Sequence, residues 1–241
     1  MADHPIIFSA PMIRALLEGR KTQTRRILSN APPPGYVAGS STFDDAITWV
    51  PTEDAFSGAQ PVTQKWKGPV LGDRLWVRED WRTSRHYDDL RPSEMGGEEP
   101  VQFLADNAVA AYAGRVDDLT GRRRWSRHMP RWASRITLHV SDVRVQQLQE
   151  ISEDDAEAEG VVCNQEIVDI VGTPHGPSEI YADRWRVPGV SPDDEEGFED
   201  GIEAFAQLWC SINGETAWDQ NPWVVALTFS VDKQNIDQVA A

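Results

Sequence analysis

Ser134-Arg135-Ile136-Thr137-Leu138-His139-Val140-Ser141-Asp142-Val143-Arg144-Val145-Gln146-Gln147 is the stretch on which the fold turns. Ile136, Leu138 and Val140 alternate with polar neighbours, as one face of a strand does. Val143 and Val145 continue the alternation in the opposite phase. A switch at Ser141-Asp142 predicts a bulge or tight bend, as where a barrel strand turns a corner. Working outward, Trp223, Val225, Leu227, Phe229 and Val231 alternate strictly and predict a final strand. Arg74 to Glu79 predicts another, with Leu75 and Val77 on one side and Trp76 and Arg78 on the other. Ile6 to Phe8 reads as a short first strand. Few helices are signalled. Ser9, Pro11 and Gly19 delimit one from Ala10 to Glu18, with Met12, Ile13, Leu16 and Leu17 as its apolar face. Ser152-Glu153-Asp154-Asp155 opens a second, ending at Gly160. Ile202, Phe205, Leu208 and Trp209 give a third, from Phe198 to Ile212, its helical spacing. Pattern alone leaves two α+β architectures open: a small mixed β-barrel with flanking helices, or an open sheet.

Three stretches interrupt this frame. Residues 29–68 are rich in Pro, Gly, Ser and Thr and read as a partly irregular insertion. Residues 82–124 form a second, polar insertion with a short hairpin around Val101 to Arg115. Residues 162–197 form a third. The whole reads as one domain over 1–231, with a frayed tail at 232–241.

Composition bounds the function. The 241 residues are 40% hydrophobic, enough for a core, and no apolar run approaches the ~20 residues that span a bilayer. Met1-Ala2-Asp3-His4-Pro5 lacks the layout of a signal peptide, so the expected compartment is cytoplasmic. Cys163 and Cys210 form no paired motif, and the five histidines show no ligand spacing, so neither a disulfide framework nor a metal site is expected. No cofactor is signalled. A net charge of −16 disfavours non-specific binding to long nucleic acid. The charge is uneven, however. Arg115, Arg122, Arg123, Arg124, Arg127, Arg131 and Arg135 crowd one segment. Asp193, Asp194, Glu195, Glu196, Glu199, Asp200 and Glu203 crowd another. The arginines read either as a phosphate-binding face or as partners of that acidic segment.

Directly after the first helix comes Gly19-Arg20-Lys21-Thr22-Gln23-Thr24-Arg25-Arg26. Its Gly-x-Lys-x-x-(Glu or Thr)-x-Arg spacing, on Gly19, Lys21, Thr24 and Arg26, resembles the signature of ASCH domains, relatives of the PUA fold. Gly72-Asp73-Arg74-Leu75-Trp76-Val77-Arg78-Glu79 resembles that family's Gly-Asp turn and strand. Blocks from Ile136 to Gly160 and from Phe205 to Phe229 follow in the same order. The second of these carries Asn213-Gly214, Trp218-Asp219 and Asn221-Pro222-Trp223. The combination is similar to ASCH-domain proteins common in bacteriophages and prophages, and it favours the barrel over the open sheet. A phage origin would place the chain in the bacterial host cytoplasm.

Within that family, the bacterial N4-acetylcytidine amidohydrolases are expected to use a lysine, a threonine three residues on, and a glutamate on a later helix. Lys21, Thr24 and Glu159 occupy those places. The resemblance implies hydrolysis of an acyl group from N-acylated cytidine or a related modified nucleoside or nucleotide. Thr24 Oγ1 would attack the acyl carbon, with Lys21 as base once burial lowers its pKa. Glu159 would orient Lys21 or protonate the leaving amine. Lys21 as direct nucleophile is a second version. Arg26, or backbone amides of the Lys21–Thr24 turn, would hold the oxyanion. Trp76 would stack the base, with Arg78 and Glu79 beside it. Glu79 has an alternative, a strand-end ion pair with Arg78 or Arg82. Trp125 and Trp132, among Arg122, Arg123, Arg124, Arg127 and Arg131, read as a nucleic-acid surface or as packing under a loop. That second surface keeps open a binding module for short RNA or single-stranded nucleic acid, and a ribonuclease built on the Lys21 pocket is a third reading. The compact amidohydrolases are about half this length, so the three insertions leave the exact substrate and the oligomeric state open.

Overall fold

The phase switch is a bulge inside one continuous strand. Thr137–Gln147 pairs antiparallel with Trp223–Asp232 along its whole length, and the register slips between Val140 and Asp142, leaving Ser141 extra. Leu138, Val140, Val143 and Val145 are all buried, so the slip keeps both halves of the strand facing one core despite the change of phase.

The computed structural model describes residues 1–29, 32, 35–39, 46–53, 55, 58–110, 118–173, 176–190 and 197–239. Its elements run β1 (Asp3–Ile7), α1 (Ala10–Glu18), β2 (Gln23–Ile27), β3 (Tyr36–Ala38), β4 (Ala46–Pro51), β5 (Val62–Lys65), β6 (Arg74–Arg78), β7 (Trp81–Arg82), β8 (Val101–Phe103) and β9 (Val109–Ala110). There follow β10 (Thr137–Gln147), α2 (Glu153–Ala158), β11 (Val162–Thr173), β12 (Gly176–Arg186), α3 (Gly201–Asn213) and β13 (Trp223–Asp232). The fold is α+β, with strands dominant. The main sheet has the order β1-β6-β10-β13-β2, with β1 parallel to β6 and the other pairs antiparallel. β1 and β2 are its edges and share no ladder, so the sheet is not a closed barrel. A side chain links them instead: Arg26 Nη2 donates to the Ile7 carbonyl at 2.9 Å. Helix α1 connects these two strands and buries Met12, Ile13 and Leu16. Ser9 holds the N-cap position, but its hydroxyl makes no capping bond.

Each insertion folds. Within 29–68, β3, β4 and β5 form a three-stranded antiparallel sheet. Trp49, fully buried there, meets Trp223 edge-on at 5.1 Å, which seats this sheet on the main core. Residues 82–124 contribute to a satellite core in which Trp81, Val101, Phe103 and Met129 are buried. Of the hairpin expected there, residues 111–117 lie outside the described residues. The third insertion is a long two-stranded ribbon, β11–β12, that leaves Ile167, Ile170 and Tyr181 exposed. The proline and glycine content of 29–68 concealed short strands whose burial depends on distant partners.

The closing residues are not frayed as far as they are described. Asn235 Nδ2 lies 2.9, 3.0 and 2.7 Å from the carbonyls of Arg131, Trp132 and Ser134, and Ile236 is fully buried. Asn235→Ala leaves those carbonyls short of a donor, at a cost of about 1–3 kcal/mol. A lowered urea midpoint is the expected result. An unchanged midpoint would mean that this contact does not hold the tail.

Candidate active site

Two backbone devices bring the lysine loop against α2. Gly19 has φ +78° at the end of α1, a left-handed conformation that favours glycine. The chain reverses there, and the Lys21 amide donates to the Ala15 carbonyl at 3.2 Å. At the far end of α2, Gly160 has φ +104°, and a Cβ there would sit 3.7 Å from that of Lys21. Thr22 N donates to Ala158 O at 2.8 Å, fixing the two segments together.

Helix α2 presents two carboxylates inward. Asp155 and Glu159 are four residues apart and share a face with buried Ala156, while Glu153, Asp154 and Glu157 face solvent. Lys21 Nζ donates to Glu159 Oε2 at 2.6 Å and to the Glu159 carbonyl at 2.9 Å. Arg25 Nη1 reaches Glu159 Oε1 at 3.1 Å, and its Nη2 reaches Asp155 Oδ2 at 2.6 Å. Arg144 and Gln23 complete the bonding of Asp155. Lys21 is 1% exposed and Glu159 is 3% exposed, so this is an ion pair inside the protein.

Burial pulls the Lys21 ammonium below the ordinary lysine pKa of 10.5, and the neighbouring Glu159 carboxylate only partly offsets it. Burial pushes Asp155 upward, but Arg144, Arg25 and Gln23 outweigh it and hold the carboxyl below its usual range.

Lys21, Thr24 and Glu159 line one cavity of about 80 Å³, walled by Phe8, Met12 and Phe205. Lys21 lies ahead of β2, so the strand rule that would separate it from Thr24 does not apply. Thr24 is 1% exposed, and among the described residues none bonds its hydroxyl. Phe8, Met12, Arg26, Ile212 and Asn213 also line a larger cleft of about 920 Å³, which therefore adjoins the small cavity. The small space suits an acyl group, since water takes about 30 Å³ per molecule in the liquid. The cleft has the volume of a small-molecule site.

The other expected site residues separate. Arg26 is exposed at the rim, its guanidinium 5.1 Å from the Phe8 ring centre. Glu79 lines the cleft but is held by Arg135 at 2.8 and 2.9 Å, not by Arg78 or Arg82. Burial raises the Glu79 carboxyl above its usual range against the pull of Arg135. Trp76 and Arg78 line neither space. They leave β6 on the side opposite Leu75 and Val77, and the Arg78 guanidinium covers the Trp76 ring at 4.3 Å. Trp76 is therefore not a stacking platform.

The arginine segment divides too. Arg131 bonds Asp3 and Asp237, both at 2.6 Å, and is held more basic by them. Arg135 bonds Glu79 and Asp106. Arg124 is buried and donates to the carbonyls of Leu90 and Tyr87 at 3.0 and 2.6 Å. Arg123 pairs with Asp80, while Arg122 and Arg127 are exposed. Of the expected acidic partner segment, residues 193–196 lie outside the described residues, as does Arg115.

Arg25, Asp155 and Phe205 belong to the site without having been signalled. The four-residue spacing of Asp155 and Glu159 was a usable clue; Phe205 offered none beyond its helical period. Among the described residues no three His, Cys, Asp or Glu side chains gather to hold a metal ion. Among the described residues no helix is long and apolar enough to cross a membrane. Comparison with protein-family models, with curated proteins and with solved structures returned no match for this chain.

Proposed function

We propose that this chain is an amidohydrolase that removes an acyl group from N-acylated cytidine or a closely related compound, on an ASCH-type, PUA-like fold whose barrel stays open between β1 and β2. The observation that carries the reading is the buried Lys21–Glu159 pair in the same cavity as the unbonded Thr24 hydroxyl.

A neutral lysine amine has two N–H donors and one lone pair. Glu159 Oε2 and the Glu159 carbonyl accept both donors, which fixes the amine and leaves the lone pair for a proton from Thr24. Thr24 Oγ1 then bonds to the acyl carbon, and the carbonyl electrons move onto oxygen. The amides of Lys21 and Thr22 are already bonded to the carbonyls of Ala15 and Ala158, so they are not the oxyanion donors. Arg26 at the rim takes that role. Lys21 returns its proton to the cytidine N4 as the C–N bond breaks. Water, deprotonated by Lys21, attacks the ester carbon; as the bond from that carbon to Thr24 Oγ1 breaks, Lys21 returns the proton to Oγ1 and the acyl group leaves as a carboxylic acid.

The test is to incubate the pure protein with N4-acetylcytidine and follow cytidine by chromatography. Cytidine release that Lys21→Ala abolishes is expected. Bound but intact N4-acetylcytidine would mark a binding module, and degradation of labelled RNA, lost in Lys21→Ala, a ribonuclease.

The pH profile adds a second check. Lys21 acts as base only when deprotonated, so the rate rises with pH, with its midpoint below 10.5. Glu159 favours the charged lysine, so Glu159→Gln moves the rising limb to lower pH while reducing the maximal rate.

A further inference from the structure

A second pocket, of about 590 Å³, lies where the 82–124 insertion meets the segment that follows it. Arg91, Arg122, Arg123, Arg124, Trp125 and His128 line it, and among the described residues no carboxylate does. In a chain with 39 acidic and 23 basic residues, that is a strong local reversal of charge. The charge is also available. Among the described residues neither Arg91 nor Arg122 forms an ion pair. Arg124 is 5% exposed; its guanidinium donates to neutral carbonyls with the Asp88 carboxylate close enough to act on it, and its buried Nε has no partner. Arg123 is the exception, pairing with Asp80; its guanidinium stacks on Trp125 at 4.2 Å. Trp125 is 52% exposed, a large aromatic surface kept at the mouth of a basic pocket.

The pocket borders the cleft beside the proposed active site. Arg123 and Trp125 line both it and the 920 Å³ cleft, and that cleft shares Phe8, Met12 and Arg26 with the Lys21 cavity. A molecule that spans the cleft from the Lys21 cavity has Arg123 and Trp125 at its other side. Guanidinium groups bind phosphate through paired N–H donors, and Trp125, unlike the buried Trp76, stays half exposed beside Arg123 and so keeps aromatic surface for a sugar or base.

We infer that the arginine pocket binds the phosphate groups of a phosphorylated nucleoside, so that the substrate of the neighbouring cavity is an acylated nucleotide. The link to turnover rests on the amidohydrolase reading; the phosphate site itself does not. A mononucleotide fits better than a polymer. A polyanion needs a basic track, and two of the arginines that follow the pocket do not extend one. Arg131 is neutralised by Asp3 and Asp237, and Arg135 by Glu79 and Asp106. Beyond the pocket, a net charge of −16 repels further phosphates.

Two measurements test this. The first is calorimetric binding of inorganic pyrophosphate to the wild type and to Arg122→Ala and Arg91→Ala, made singly and checked by circular dichroism. Binding that weakens at least tenfold in each variant, and falls with salt, is expected. The second compares kcat/KM for N4-acetylcytidine and its 5′-triphosphate. A gain of about ten- to a hundredfold for the triphosphate, carried in KM and shrinking toward unity in Arg122→Ala, is expected, as about 1.4 kcal/mol corresponds to each factor of ten. No pyrophosphate binding together with equal kcat/KM values would overturn the inference and leave the amidohydrolase standing. Pyrophosphate binding that the variants weaken, with neither compound hydrolysed, would sustain the phosphate site and remove the amidohydrolase. A ten-nucleotide RNA competing with pyrophosphate more than tenfold better than cytidine triphosphate would overturn the mononucleotide assignment in favour of a polymer.

Discussion

Lys21→Met is expected to lower the rate of cytidine release by about a thousandfold, within the ~10²–10⁴ range that a positioned general base contributes. Methionine keeps the aliphatic stem in its buried slot and removes only the amine. Glu159 stays satisfied in part, because Arg25 still holds its other oxygen at 3.1 Å, so the variant is expected to fold. Thr24→Val removes the hydroxyl at nearly constant volume and is expected to fall at least as far, whereas Thr24→Ser retains much of the rate. Because base and nucleophile act as one unit, the double variant Lys21→Met/Thr24→Val is expected to be little worse than the poorer single one. Steady-state kinetics on the four proteins decides. Additive losses would mean that Lys21 and Thr24 do not share a step, and Lys21 as the direct nucleophile would require Thr24→Val to stay active.

Glu159→Ala is expected to be the most destabilising single change in the site. It strips the carboxylate from two buried cations at once, Lys21 and Arg25. Breaking a buried pair by removing one partner costs about 3–5 kcal/mol, because the charge left behind is unsolvated. At roughly 2–4 °C per kcal/mol for a chain of this size, the melting temperature should drop by about 10 °C. The loss should depend on pH. Without Glu159, the folded-state pKa of Lys21 falls further below 10.5. Between that value and 10.5 the unfolded chain holds a proton that the folded one does not, so stability rises with pH across the window. Wild type gains in the same way only above its own, higher folded-state pKa, so the deficit should narrow between the two folded-state values, both below 10.5. Thermal melts at stepped pH provide the measurement, and a deficit independent of pH would place the damage elsewhere. Glu159→Gln, which keeps an acceptor for Lys21, is expected to lose less.

Local patterns carried the frame of this fold well. The bulge at Ser141, the limits of α1 and the final strand were all written in residues whose period or turn chemistry acts over a few positions. The lysine loop and Glu159 stood out only through resemblance to a family pattern; on its own residues Glu159 reads as one more carboxylate of an acidic helix. What stayed hidden depends on distance along the chain. Trp49 is a core residue only because Trp223 meets it, and Phe205 walls a cavity whose lysine is far upstream. Trp76 was misjudged for a related reason. A strand fixes which side a residue faces, but not whether Arg78 will already cover it. The tail at 232–239 looked polar and loose, and only the carbonyls of Arg131, Trp132 and Ser134 give Asn235 its purpose.

The pairing of β2 has a consequence for how the molecule is made. The strand bearing Thr24 has one hydrogen-bonded neighbour in the sheet, β13, in which Leu227 lies opposite Thr24. About two hundred residues must leave the ribosome between the two, which takes about 10–40 s at ~5–20 residues per second. Throughout that interval β2 lacks its ladder, and Lys21 and Arg25 stay hydrated. For most of it Glu159 has not yet been synthesised. The cavity is thus among the last parts of the molecule to exist, and a nascent chain arrested after Glu159 but before β13 carries every proposed catalytic residue without an assembled site.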